Sequence, residues 1–461
     1  MKTIKTPILP THQHFVKVDA PHELDKKAIC IFAATSYFLG TDTYWKDEKV
    51  LPPGTINTID DKGSWVNSKP WFQWHNTPRD ISFDQAVSEF TELFHTVCRE
   101  QAGDNVVLLP LSGGLDSRTQ AVAYSKLENP VLSYSYSFHN GYNEGAIARK
   151  IAEVLDYEYN DMTIPKGYLW DKVDELAKLL NYGTEFTHAR QMAVIDEFRK
   201  MEGIFTLGHW GDVLFDSPVP KELTEENVEE WLLQKVIIKG GQELAEALWQ
   251  EWEIEGEFMP YLKIRMKEVW DAILIKNVSA KVRAYLSSTR AVRWTNLGFT
   301  IFEATNPVQA PYYDDRMAEF ICGIPEEFLS DRKIQIAYLK NQSPEVAKIT
   351  WQAQKPYHLY NFHLNKTPHN LTYRIADKVQ RLINEKRGKP LIQRNWELQF
   401  LGMDNDEKLQ EHLFGESLHP FLPKELITRF YNSFRTKDMV AYSHPLSMLL
   451  TLAVWYRNEV K

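Results

Sequence analysis

Cysteine is scarce in this 461-residue chain: Cys30, Cys98 and Cys322 are the only three, and they sit at no metal-like spacing. Neither a disulfide framework nor a zinc site is indicated, and the reducing cytosol is the default compartment. Long apolar runs are absent as well. The most apolar stretch, Pro445 to Tyr456, has about a dozen residues, short of the roughly 20 that a membrane span requires. It reads as a buried terminal helix with Pro445 in its first turn. The opening MKTIKTPILPTHQHF has no apolar core and no small-residue cleavage site, so no signal peptide is expected. An excess of positive charge is lacking too. Lys and Arg total 53 against 62 Asp and Glu, a net charge of −9, which argues against a protein whose affinity comes from neutralising nucleic-acid phosphates.

What is present is an ordinary globular composition, 43% hydrophobic and 25% charged, long enough for two or three domains at roughly 150 residues each. Residues 30 to 82 alternate short apolar runs (Cys30 to Ala33, Tyr37 to Leu39) with turn signals such as Pro52-Pro53-Gly54, which predicts short antiparallel strands. The period then changes. Ala86, Val87, Phe90, Leu93, Phe94, Val97 and Cys98 recur at three- and four-residue spacing, one face of a helix, so a boundary falls near residue 80. From Asn105 strands and helices alternate: a strand over 106–111, a helix over 117–127, a strand over 131–138, a helix from Glu144 to Leu155 and a strand over 204–207. That order predicts a parallel sheet with helices on both faces. Beyond Asp216 the pattern is helical, with Thr224 as an expected N-cap and long segments around Trp231 to Trp252 and Tyr261 to Leu274.

The sharpest feature is Leu111-Ser112-Gly113-Gly114-Leu115-Asp116-Ser117, between a buried strand and a helix. A helix that starts at the carboxyl end of a parallel strand points its unpaired N–H groups and positive dipole end outward, and phosphate is the natural guest. Two glycines let backbone approach closely, and two serines add hydroxyl donors. Asp116 cannot donate when ionised; facing phosphate, it makes sense with Mg²⁺ between them. No Lys follows the glycines, so this is not a Walker loop, and it is not the GxGxxG of dinucleotide folds. The plain alternative is a tight turn entering a helix.

SGGLDS after an apolar strand resembles the pyrophosphatase loop of enzymes that split ATP between the α and β phosphates, and with its Leu-Asp-Ser it is similar to the asparagine synthetase branch. Further stretches fit that branch. Leu207-Gly208-His209-Trp210-Gly211-Asp212-Val213-Leu214-Phe215 resembles its second motif, and Ala310-Pro311-Tyr312-Tyr313-Asp314 its Pro-Phe-Leu-Asp element. Lys333 and Lys355 stand near the spacing of two family lysines, and Leu51-Pro52-Pro53-Gly54-Thr55 resembles the end of the family's glutaminase domain. The resemblance implies an adenine nucleotide alpha hydrolase-like α/β fold over 82–461 with a helical C-terminal half, preceded over 1–81 by a shortened β-rich remnant of a glutaminase-like domain. It implies ATP and Mg²⁺ as cofactors. Ser112, Gly113, Gly114, Leu115, Asp116 and Ser117 would hold pyrophosphate, Asp116 and Asp212 the metal, and Leu111, Ser137 and Gly208 the adenosine. Lys355 would steady the charged transition state and Lys333 would lie near pyrophosphate. For both lysines the alternative is a solvated surface position.

Two departures bear on function. His209 stands where asparagine synthetases carry Glu; it is either a base for an attacking amine, suited by an ordinary pKa near 6.5, or a packing partner of Trp210. Position 2 is Lys rather than the family's nucleophilic Cys, and Cys30 reads as part of a strand, so no glutaminase activity is expected. The amine would then be free ammonia, a substrate amine, or ammonia from a separate protein. Residues 217–292 either shape the acyl pocket or serve as scaffold helices. The expectation is a cytoplasmic, AMP-forming amide ligase acting on a small-molecule or peptide carboxylate, with no nucleic-acid or membrane partner. The rivals are a tRNA-modifying pyrophosphatase and a catalytically degenerate nucleotide-binding scaffold.

Overall fold

The computed structural model describes residues 1–142, 145–217, 219–220, 222–386 and 391–460; Glu144, the expected start of a helix, lies outside them. The five-stranded sheet comprises β1 (Val107–Pro110), β2 (Val131–Phe138), β3 (Glu158–Ile164), β4 (Ile204–Thr206) and β5 (Val308–Gln309). Its order is β5-β4-β1-β2-β3 and every pairing is parallel. β1 is a continuous apolar run because both faces are covered; Val107, Leu108 and Leu109 are buried. It pairs with β2 on one side (Val107 opposite Val131) and β4 on the other (Val107 opposite Ile204). The chain reverses its direction of winding between β1 and β4, and such a switch point leaves a crevice at the strands' carboxyl ends.

The first strands and helices match their sequence patterns closely. Leu115–Tyr124 follows β1, Gly145–Val154 follows β2, and the helix before the sheet, Phe83–Ala102, starts where Ser82 accepts a hydrogen bond from Gln85 N. β3 and β5 carry no clear apolar signal. Four expectations are corrected. The run Cys30 to Ala33 belongs to a helix, Lys26–Thr35, whose residues from Ala28 onward are all buried. A segment apolar on every side has no period that separates strand from helix. Thr224 caps no helix: the segment begins at Val228, and the expected long helix breaks at Gly240 (φ 81°) into Val228–Val236 and Gly241–Glu251. Pro445 lies well inside Met439–Glu459 rather than in its first turn. Its ring leaves the Ala441 carbonyl without a helical donor, and that oxygen lies against Gly240, where a Cβ would come within 2.3 Å of it.

The N-terminal strands Lys2–Lys5, Thr55–Ile59 and Trp65–Pro70 form a three-stranded antiparallel sheet. The N-terminal part does not stand apart from the rest. Ile8 N donates to Asp315 at 2.7 Å, and Thr77 N to Cys322 O at 2.9 Å. Helix Lys26–Thr35 is wedged against two C-terminal helices. A Cβ at Gly241 would lie 2.4 Å from Ala34 O, so only glycine admits this approach, and His444 Nε2 donates to Ala33 O at 2.9 Å. Tyr44 stacks on Trp455 with ring centroids 3.9 Å apart. No helix among the described residues is long and apolar enough to cross a membrane.

Candidate active site

The switch-point crevice holds a cavity of about 600 Å³ lined by the ends of β1, β2 and β4 and by Gln352 and Ala353. Its floor is the Ser112–Ser117 loop. Gly114 precedes helix Leu115–Tyr124 and no side chain caps that helix, so its first-turn N–H groups remain available to an acceptor. Within the loop the Ser112 and Ser117 hydroxyls are 2.9 Å apart, Ser112 N donates to Ser117 Oγ at 3.0 Å, and Gly114 N donates to Ser112 Oγ at 3.2 Å. Gly113 is held from outside. It donates to Gln352 Oε1 at 3.1 Å and accepts from Gln352 N at 3.0 Å, and a Cβ there would fall 2.8 Å from that side chain. Arg118, fully buried just past the loop, donates to Gly113 O, Thr350 O and Ile349 O at 3.2, 2.7 and 3.0 Å. It fastens the loop to the segment that carries Gln352.

The second motif leaves β4 and packs on the first through two glycines. A Cβ at Gly208 would lie 2.6 Å from Gln120 Oε1, and one at Gly211 would lie 2.4 Å from Asp116 Oδ1. Asp212 is exposed beside this contact, close enough that its charge helps raise the pKa of Asp116. That carboxyl is pushed up to about 6, chiefly by the surrounding protein and then by Asp212, against the pull of Arg332. Asp116 pairs with Arg332 Nη2 and accepts from Gln335 Nε2 at 3.1 Å. Among the described residues no group of three or more His, Cys, Asp and Glu side chains is arranged to hold a metal ion by itself. Two carboxylates beside a phosphate loop nonetheless suit Mg²⁺, which takes one or two carboxylates and completes its shell with phosphate oxygens and water.

The residues singled out in the sequence fall into two groups. Leu111, Ser112, Gly114, Asp116, Ser117, Gly208 and His209 line the cavity, with Gly113 directly behind. Leu115 is buried under the loop. On β2 the lining residues are Tyr134, Ser135 and Tyr136, and Ser135 Oγ donates to Leu111 O at 2.5 Å; Ser137 is not among them, and its buried hydroxyl has no partner among the described residues. Lys355 is exposed and is not among the residues that line the cavity, although Gln352 and Ala353 shortly before it in sequence are. Lys333 is exposed and donates outward to Glu327 O at 2.7 Å. His209 lines the cavity and is exposed to it, while the protein around it lowers its pKa from the ordinary value. Its ring meets Phe299 edge-on at 5.0 Å.

Sequence reasoning missed Arg118, Arg190, Arg332, Gln335 and Gln352. Arg190 reaches the cavity across the Tyr136 and Phe138 rings, 5.3 Å from each centroid. Arg118 carried a readable signal, being the residue directly after the motif; the others lie in unremarkable polar surroundings.

A glycine loop at the switch point of a parallel α/β sheet is the place where open sheets of this kind bind phosphate-bearing ligands. Residues 90–283, which contain both motifs, match the family model for asparagine synthase. The match takes in 194 of the 461 residues, under half of the chain. No curated protein matches the chain. Among solved structures it is similar to NMN synthetase from Francisella tularensis, with 16% identity over 45% of this chain and 94% of that one and a TM-score of 0.23.

Proposed function

We propose that the protein is an Mg-ATP-dependent, AMP-forming amide ligase without glutaminase activity. The observation that carries this reading is the uncapped Ser112–Ser117 loop with Asp116 and Asp212 beside it at the switch point. A substrate carboxylate oxygen attacks the α phosphorus of ATP, pyrophosphate departs into the loop, and an amine then displaces AMP from the acyl adenylate. A divalent cation held by Asp116 and Asp212 would neutralise charge on the phosphates. The loop N–H groups and serine hydroxyls orient the departing pyrophosphate. His209 faces the cavity, and its lowered pKa makes it a weaker base than a free imidazole, so its part is to accept a hydrogen bond that orients the incoming amine. Lys355, by its resemblance to the family lysine, would steady the charged transition state, and Lys355→Ala should lower kcat by roughly 10² to 10³, the usual loss for one preorganised donor; wild-type turnover in that variant would remove Lys355 from the mechanism. Incubation with ATP, Mg²⁺ and a panel of carboxylates and amines, followed for AMP and pyrophosphate, tests the reaction class. Release of ADP alone would overturn it.

A further inference from the structure

One cation at the phosphate loop is a residue that the motif pattern does not mark. Arg332 and Lys333 are adjacent, but Lys333 turns outward to Glu327 O. Arg332, whose side chain is 11% exposed, turns inward to Asp116. It is held there by a second contact, Nε to Gln335 Oε1 at 2.6 Å, while Gln335 also donates to Asp116 and to the Tyr312 hydroxyl.

The backbone that aims it is unusual. Asp331 (φ 60°) and Arg332 (φ 59°) are consecutive non-glycine residues in the left-handed region, each a costly conformation that persists only when neighbours impose it. The imposing contact comes from the second motif's segment: Asp331 N donates to Asp216 Oδ1 at 2.9 Å. A strained pair, anchored at Asp216, thus delivers a guanidinium to the one carboxylate that both the loop and the metal site require.

We infer that Arg332 is a latch on Asp116: with the site empty it neutralises this carboxylate, and when phosphates and a divalent cation arrive it releases Asp116 to the metal and takes a phosphate oxygen instead. The inference rests on the nucleotide reading of the site. It makes Arg332, not Lys333, the phosphate-facing cation. An arginine suits both states, because its planar fork serves carboxylate and phosphate equally.

The test uses the full chain and two probes: Mn²⁺ alone, followed by electron paramagnetic resonance, and α,β-methylene-ATP with Mg²⁺, followed by calorimetry. Measured at about pH 8.5, so that Asp116 stays ionised without its arginine, Arg332→Ala should bind Mn²⁺ alone on the order of tenfold more tightly than wild type, and the nucleotide analogue on the order of 10- to 100-fold more weakly, the scale of one charge-assisted hydrogen bond. Lys333→Ala should change neither. Arg332→Gln keeps the stem and can still pair with Gln335; it should show the same Mn²⁺ gain if Arg332→Ala proves unstable. Unchanged Mn²⁺ affinity in the Arg332 variants, or loss of analogue binding in Lys333→Ala alone, overturns the latch. Wild-type protein that fails to bind the analogue would instead sink the nucleotide reading, and the Mn²⁺ comparison does not depend on it.

Discussion

Asp116 must be ionised to hold a cation, yet it sits where ionisation is disfavoured. Its pKa of about 6, raised from an ordinary 3.8, puts this conflict near neutrality. Above pH 6 the carboxylate is charged and can serve a metal; below it the proton competes. Affinity for Mg²⁺ with α,β-methylene-ATP should therefore fall by about tenfold for each pH unit below 6, measured by calorimetry from pH 5 to 8, and a flat profile would separate Asp116 from the metal. The stability effect has the opposite sense. A carboxyl whose folded pKa is raised holds an extra proton in the folded state between about pH 4 and 6, so its ionisation weakens the fold as pH rises through that window. Much of this residue-scale picture was legible: the loop is contiguous, and its glycines, serines and aspartate announce themselves. Arg332 was not, because its role depends on two left-handed backbone angles and on Asp216, 115 positions away from Asp331 in sequence. No local pattern records such a contact.

Elements meet at the site through missing side chains. Gly211 opens the short helix Gly211–Leu214 directly against Asp116. Gly211→Ala should push the carboxylate aside and abolish divalent-cation binding, while costing about 1–3 kcal/mol as an overpacking change. Mn²⁺ titration alongside thermal melting checks both parts, and a variant that melts slightly early but binds Mn²⁺ like wild type would show that the contact yields. The sheet was readable at this scale because β1 and β2 are buried runs of the expected length, framed by helical periodicity. β5 was not: two half-buried residues, Val308 and Gln309, carry no signal of their own and become a strand only by pairing with β4. Helix Lys26–Thr35 failed in the other direction. Its KKAICIFAAT is apolar enough to suit either structure, and the decision was made by Asp25, which caps its start by accepting from Ala28 N at 3.1 Å.

At the scale of the molecule, residues 1–81 are built into the rest. Helix Lys26–Thr35 buries Ile29, Ile31 and Phe32 completely, each worth roughly 1.5–3 kcal/mol of burial, against surfaces that would otherwise face water. Deletion of residues 1–81 should therefore give insoluble or aggregated protein rather than an active remainder, measured by soluble yield and size-exclusion chromatography. A monodisperse, folded product would show that this part is dispensable. The bond from His444 to Ala33 O spans 411 residues. A ribosome adding about 5–20 residues per second needs roughly 20 to 80 seconds to make the stretch between them. For that interval the apolar helix near the start of the chain lacks the closing helix Met439–Glu459, and for about the first half of it the helix Gly241–Glu251 as well. The last contact this helix makes is therefore with nearly the last residues to be synthesised.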